Sequence, residues 1–199
     1  MTRTSRWRRA VAVTAALAAL TATGCSGGDE TPPAATPSAS LGEPSAAPTL
    51  EVEPVVRAGT VVGRLPRKVR ARIVDAVSGV AVRYLEAAYL AGRYPRAGFG
   101  DAFAVFAPGT ARVARADRSL LTNVAVGKRI EEVTPAQLGV TVDLLAVQER
   151  AQAATAHVKL VFRTSGRYER RVQVQGRLRL TKQDGHWKVF AYEMSKGAR

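Results

Sequence analysis

Few side chains in this 199-residue chain could carry a reaction. Cys25 is the only cysteine, and His157 and His186 are the only histidines. A zinc site needs three or four Cys, His or carboxylate ligands at short spacings. Neither histidine has a cysteine, a second spaced histidine or a carboxylate pair beside it in sequence. A glycine-rich phosphate loop and a serine nucleophile elbow are also missing, so neither a metal nor another cofactor is expected. Asp101, Tyr84, Tyr89 and Tyr192 remain as side chains that could line a pocket and move a proton. Each also suits a cap or the edge of a core, and no enzymatic activity is expected. The remaining reactive group is the Cys25 thiol.

Its context sets its chemistry. Arg3, Arg6, Arg8 and Arg9 form a basic region, Ala10 to Ala22 an alanine-rich apolar run, and Thr23-Gly24 lead into Cys25. That order is similar to a bacterial lipoprotein signal, although Ala22 stands where the pattern usually has leucine. The resemblance implies cleavage after Gly24 and a diacylglyceryl group on the sulfur. A membrane-spanning helix needs about 20 apolar residues, more than this run supplies. Residues 1–24 are therefore expected to be a signal peptide. The mature chain would then be anchored by lipid on the outer face of the cytoplasmic membrane. With no second cysteine, disulfides cannot staple the exported domain.

Residues 25–53 read as the lipidated cysteine and a tether. Ser26 to Glu53 is rich in Pro, Ala, Ser and Thr, with five acids and no base. Such a segment buries too little apolar surface to offset its ordering entropy, and as a coil it spans about 30 Å. From Arg57 onward the chain carries 26 Lys and Arg against 11 Asp and Glu, a net charge of +15. A field of that sign and size selects anionic partners. Export removes nucleic acid and leaves anionic lipid headgroups, a wall polymer or an acidic envelope protein.

Residues 54–199 form the expected domain. Pro54 to Leu65 reads as extended chain lying against it. Val69, Ile73, Val77, Val80, Tyr84 and Ala88 recur at helical spacing, ending near Gly92. Phe99, Phe103 and Phe106 suggest a second, short helix to Ala107, stopped by Pro108. Thr110 opens a third, with Val113, Leu120 and Leu121 as its apolar side. The period then changes to two. Leu138, Val140, Val142 and Leu144 alternate with polar residues, as do Ala154 to Phe162 and Val172 to Leu180. A last strand spans 186–195, apolar on both faces. Ser165-Gly166 and Asp184-Gly185 signal hairpins, and Gly176 a bulge or bend. The expected fold is α+β: three N-terminal helices on a curved antiparallel four-stranded meander.

That order, closing on Gly185, Trp187, Val189 and Tyr192, resembles the NTF2-like (SnoaL-like) superfamily over about residues 54–199. With the lipoprotein signal and tether, it resembles actinobacterial lipoproteins. The resemblance implies a cone whose sheet and helices can enclose a pocket. Enzymes of that family place acids, bases or tyrosines on the concave face. Here those positions are Leu138, Val140, Val142, Leu144, Val158, Leu160, Phe162, Val172, Val174, Leu178 and Leu180. None can move a proton. Fold alone selects no function, so the cone implies either a binding module or a carrier for a small apolar ligand.

On the opposite face, alternation gathers Lys159, Arg163, Arg171, Arg177 and Arg179, with Gln173 and Gln175 among them and Glu169 as the only nearby acid. This basic face is the candidate site for an anionic partner. The competing reading is a solvated sheet face whose arginine stems cover apolar surface.

Overall fold

The computed structural model describes residues 52–199. The signal-like run, Cys25 and nearly all of the tether lie outside the described residues. Among those described, no helix is long and apolar enough to cross a membrane.

Five strands form one sheet in sequence order: β1 (Val55–Val62), β2 (Ile130–Val147), β3 (Arg150–Gly166), β4 (Arg170–Gln183) and β5 (His186–Ala198). The last four pair antiparallel, whereas β1 runs parallel to β2. The sheet is therefore mixed, and the expected four-stranded meander is corrected by one strand. Val55-Val56 and Val61-Val62 lack the alternation that marks a strand because a bulge at Gly59–Thr60 separates them.

The helical half is also corrected. Only α1 (Arg67–Leu85) is long; it runs on into a π-helical turn, Glu86–Leu90. Its expected apolar stripe is buried at Ile73, Val77, Val80, Tyr84 and Ala88, whereas Val69, in the first turn, is exposed. The expected helix 99–107 is a single 3₁₀ turn, Gly100–Phe103. Beyond it the chain extends to pair with β5, Val189 donating to Val105 O and Ala107 to Val189 O. Pro108 begins α2 (Pro108–Ala116) rather than ending a helix, as its fixed φ and missing N–H allow. Thr110 does not cap; its hydroxyl donates to Phe190 O. Ala111 and Ala114 face the core, and Val113 is exposed. A four-residue α3 (Arg118–Leu121) follows. The architecture implied by the NTF2-like resemblance, three helices on a four-stranded cone, is thus replaced by one long helix and short turns on a five-stranded mixed sheet.

The inner face matches the alternation. All eleven apolar positions named above are at most 4% exposed. Tyr84 packs on Phe106 with ring centres 5.4 Å apart, Tyr89 lies 6.0 Å from Phe162, and Phe106 5.9 Å from Tyr192. These rings occupy the space between helix and sheet. The doubly apolar β5 has a simple cause: Phe190 is an extra residue between the pairs Leu180–Val189 and Arg179–Ala191. That bulge resets the parity, so Trp187 and Val189 point inward before it and Tyr192 and Met194 after it. Gly176, by contrast, breaks no register; it pairs with both Val158 and Met194.

The buried tyrosines give the fold a pH signature. Tyr84 and Tyr89 donate to Leu121 O and Leu120 O, each at 2.9 Å. Burial pushes both hydroxyls well above the ordinary 10.0. Tyr192 is pushed up to about 12 by desolvation and by its hydrogen bond to Asp117 Oδ2. The folded state thus holds these protons more tightly than the unfolded chain. Their contribution is fully present below pH 10 and is lost as pH rises through the folded values. Urea titrations between pH 9 and 12 should show stability falling, and Tyr192→Phe should make the fall between about pH 10 and 12 shallower.

Candidate anion-binding face

The outer face is assembled by register. Across β3 and β4, Lys159 stands opposite Gln175, Arg163 opposite Arg171, His157 opposite Arg177 and Thr155 opposite Arg179. Direct partners in an antiparallel pair share a face. The five basic residues expected there are brought together, and all are exposed.

They are not equivalent. Glu193 on β5 lies directly across from Arg177 and pairs with it at 2.5 Å and with Arg179 at 3.1 Å. Glu169 is therefore not the only nearby acid, and this end of the face is neutralised. Lys159, Arg163 and Arg171 make no ion pair among the described residues. Two further arginines join the face: Arg57, through the pairing of β1 with β2, and Arg199, which exchanges both backbone hydrogen bonds with Arg171. Arg199 lies one residue past β5, well beyond the strand 186–195 that the sequence pattern predicts.

His157 has a partner that sequence spacing hid. Its Nε2 lies 2.8 Å from Asp143 Oδ2, and Asp143 Oδ1 accepts the Thr60 N–H at 2.8 Å. The carboxylate ties β3 to the bulge of β1. Register would have exposed the pair, since Thr141 stands opposite His157 and Asp143 lies diagonally beside it. The turn that fixes this register, Gln148-Glu149, has no glycine or asparagine, yet both residues take positive φ. Nothing in those residue types advertises a tight hairpin.

Of the other residues weighed as pocket side chains, Tyr84, Tyr89 and Tyr192 are tied to the partners described above. Asp101 lines an open groove of about 710 Å³ between the end of α1 and the β4–β5 turn, with Arg83, Glu86, His186 and Lys188. Burial raises the Glu86 carboxyl, and Arg83 partly offsets it. Lys188 Nζ is occupied by Ala104 O at 2.9 Å, and much of the wall is alanine. Among the described residues, no three His, Cys, Asp or Glu side chains gather as metal ligands would.

The chain matches no family model, no curated protein and no solved structure.

Proposed function

We propose that this chain is a non-catalytic, membrane-tethered binding module of the cell envelope that holds an anionic partner on its outer sheet face. One observation carries the reading: Lys159, Arg163 and Arg171 stand exposed on one face with no acid among the described residues in ion-pair reach. A solvated face needs no such imbalance, and where Glu193 is available the same sheet does pair its arginines. The aromatic rings between helix and sheet count against the carrier reading, which needs space there.

In this proposal Cys25 bears the lipid, and the tether keeps a +15 domain beside anionic headgroups and polymers. Mass spectrometry of membrane-bound protein should find a diacylated Cys25 at the N-terminus, and Cys25→Ala should release the protein or leave an uncut precursor. An unmodified cysteine on membrane-bound protein would contradict the anchor.

Each Lys or Arg held near an anionic surface contributes about 1 kcal/mol, within a Debye length of about 8 Å at physiological salt. Three together change affinity by roughly 100-fold. In the Cys25→Ala background, binding to anionic vesicles or wall polymer at low salt should therefore collapse on changing Lys159, Arg163 and Arg171 to Gln. It should also weaken at physiological salt. Changing Arg177 and Arg179, already paired with Glu193, should matter less. Equal binding by wild type and triple variant would sink the proposal.

A further inference from the structure

The unpaired half of the face has a shape as well as a charge. Arg163 on β3, Arg171 on β4 and Arg199, just past the end of β5, stand abreast, with strands about 5 Å apart. Like charges directly opposite one another destabilise a sheet, and among the described residues no carboxylate side chain is in ion-pair reach of this row. Glu169, at the β3–β4 turn, is not within ion-pair distance.

Beside the row, between β4 and β5, runs a groove of about 510 Å³ lined by Arg171, Gln173, Gln175, Ser195, Gly197 and Arg199, among others. It is open because β5 offers little to fill it. Gln173 faces Gly197 and Gln175 faces Ser195, and a methyl group at Gly197 would touch nothing within 4 Å. Lys196 also borders it, but its ammonium is spent on Ser119 O and Thr122 O. Gln173 Nε2 donates to Gln175 Oε1 at 2.8 Å. That leaves the Gln173 oxygen as an acceptor and the Gln175 amide as a donor along the groove. Among the described residues, no acidic side chain lines it.

We propose that this groove binds a sugar- or polyol-phosphate chain, with a phosphate on Arg163, Arg171 and Arg199 and the neighbouring hydroxyls on Gln173, Gln175 and Ser195. Guanidinium forks match phosphate oxygens bidentately, whereas neutral amides pair with hydroxyls in either direction. The four residue steps along β4 from Arg171 to Gln175 span about 13 Å, room for a phosphate and the unit attached to it. A flat layer of headgroups would meet the arginines but would not enter the groove to reach the glutamines. The inference rests on the anionic-face reading and narrows it to one ligand chemistry.

The test is calorimetric binding by the Cys25→Ala protein to poly(glycerol phosphate), inorganic polyphosphate and phosphatidylglycerol vesicles, with melting curves confirming that each variant folds. Arg163→Gln with Arg171→Gln should weaken both polymers by at least about tenfold. Gln173→Ala with Gln175→Ala should weaken poly(glycerol phosphate) about fivefold or more and leave polyphosphate within about twofold. Arg112→Gln with Arg115→Gln, an equal loss of charge on α2, should change neither by more than about twofold. If the glutamine variants bind poly(glycerol phosphate) as wild type does, the groove proposal is overturned while the basic face stands. Vesicles binding as tightly as the polymer, through the same arginines, would make the occupant a membrane surface and also overturn it. If no anion binds, both readings fall together.

Discussion

Leu160→Asp is expected to cost more than about 4 kcal/mol, a large share of what a domain of this size has. Leu160 is fully buried near the middle of β3, with Leu138 and Val174 opposite it on the neighbouring strands. The substitution removes a leucine's apolar burial and puts an unpaired carboxylate among the core side chains. The neighbouring residue makes the control. Lys159→Asp, one position along the same strand but on the exposed face, should stay within about 0.5 kcal/mol. Urea unfolding of both variants measures the contrast. Similar losses would mean that the inner and outer faces have been assigned wrongly, and with them the candidate site.

Gly176→Ala should cost about 2–3 kcal/mol for the addition of a single methyl group. A Cβ built there would lie 2.1 Å from Glu193 O and 2.8 Å from Met194 Cα, and φ is +156°. Both obstacles are backbone, so a rotamer change cannot relieve them. β5 would have to move away, taking Glu193 from Arg177 and Arg179. Gly139→Ala on β2 is the matched comparison, because its nearest contact would be Lys159 O at 4.0 Å; it should be tolerated. A loss below about 1 kcal/mol for Gly176→Ala would show that β5 does not approach so closely.

Where one periodicity ruled, the sequence was readable. Strand β4 alternates cleanly and β3 does so except at Val161, an apolar residue at an outward position that is nonetheless buried; their hairpins carry Gly166 and Gly185 at positive φ, and the α1 stripe is regular. The basic face followed from that alternation. What stayed hidden depends on register or on local exceptions to the pattern. Glu193 became visible as a partner only once the Phe190 bulge fixed how β5 lies against β4. β1 was obscured by its own bulge. The Phe99–Phe106 stretch has helical spacing, but after the single turn Gly100–Phe103 its backbone is drawn out to pair with β5, a long-range hydrogen-bond demand that local periodicity does not report. The unequal pairing of the five basic residues is likewise a property of strand neighbours.

The bulge in β1 has a further consequence. As the outermost strand on one side, β1 exposes Val55, Val56 and Val62, the composition that invites another chain to add itself edge to edge. At its centre, however, the Thr60 N–H is bound by Asp143 and the Gly59 carbonyl by Arg70. The backbone groups a foreign strand would read are interrupted midway, and a guanidinium stands beside the gap. With the Gly59–Thr60 peptide satisfied on both sides by Arg70 and Asp143, the middle of this edge offers no free backbone group there, which disfavours edge-to-edge addition of a strand.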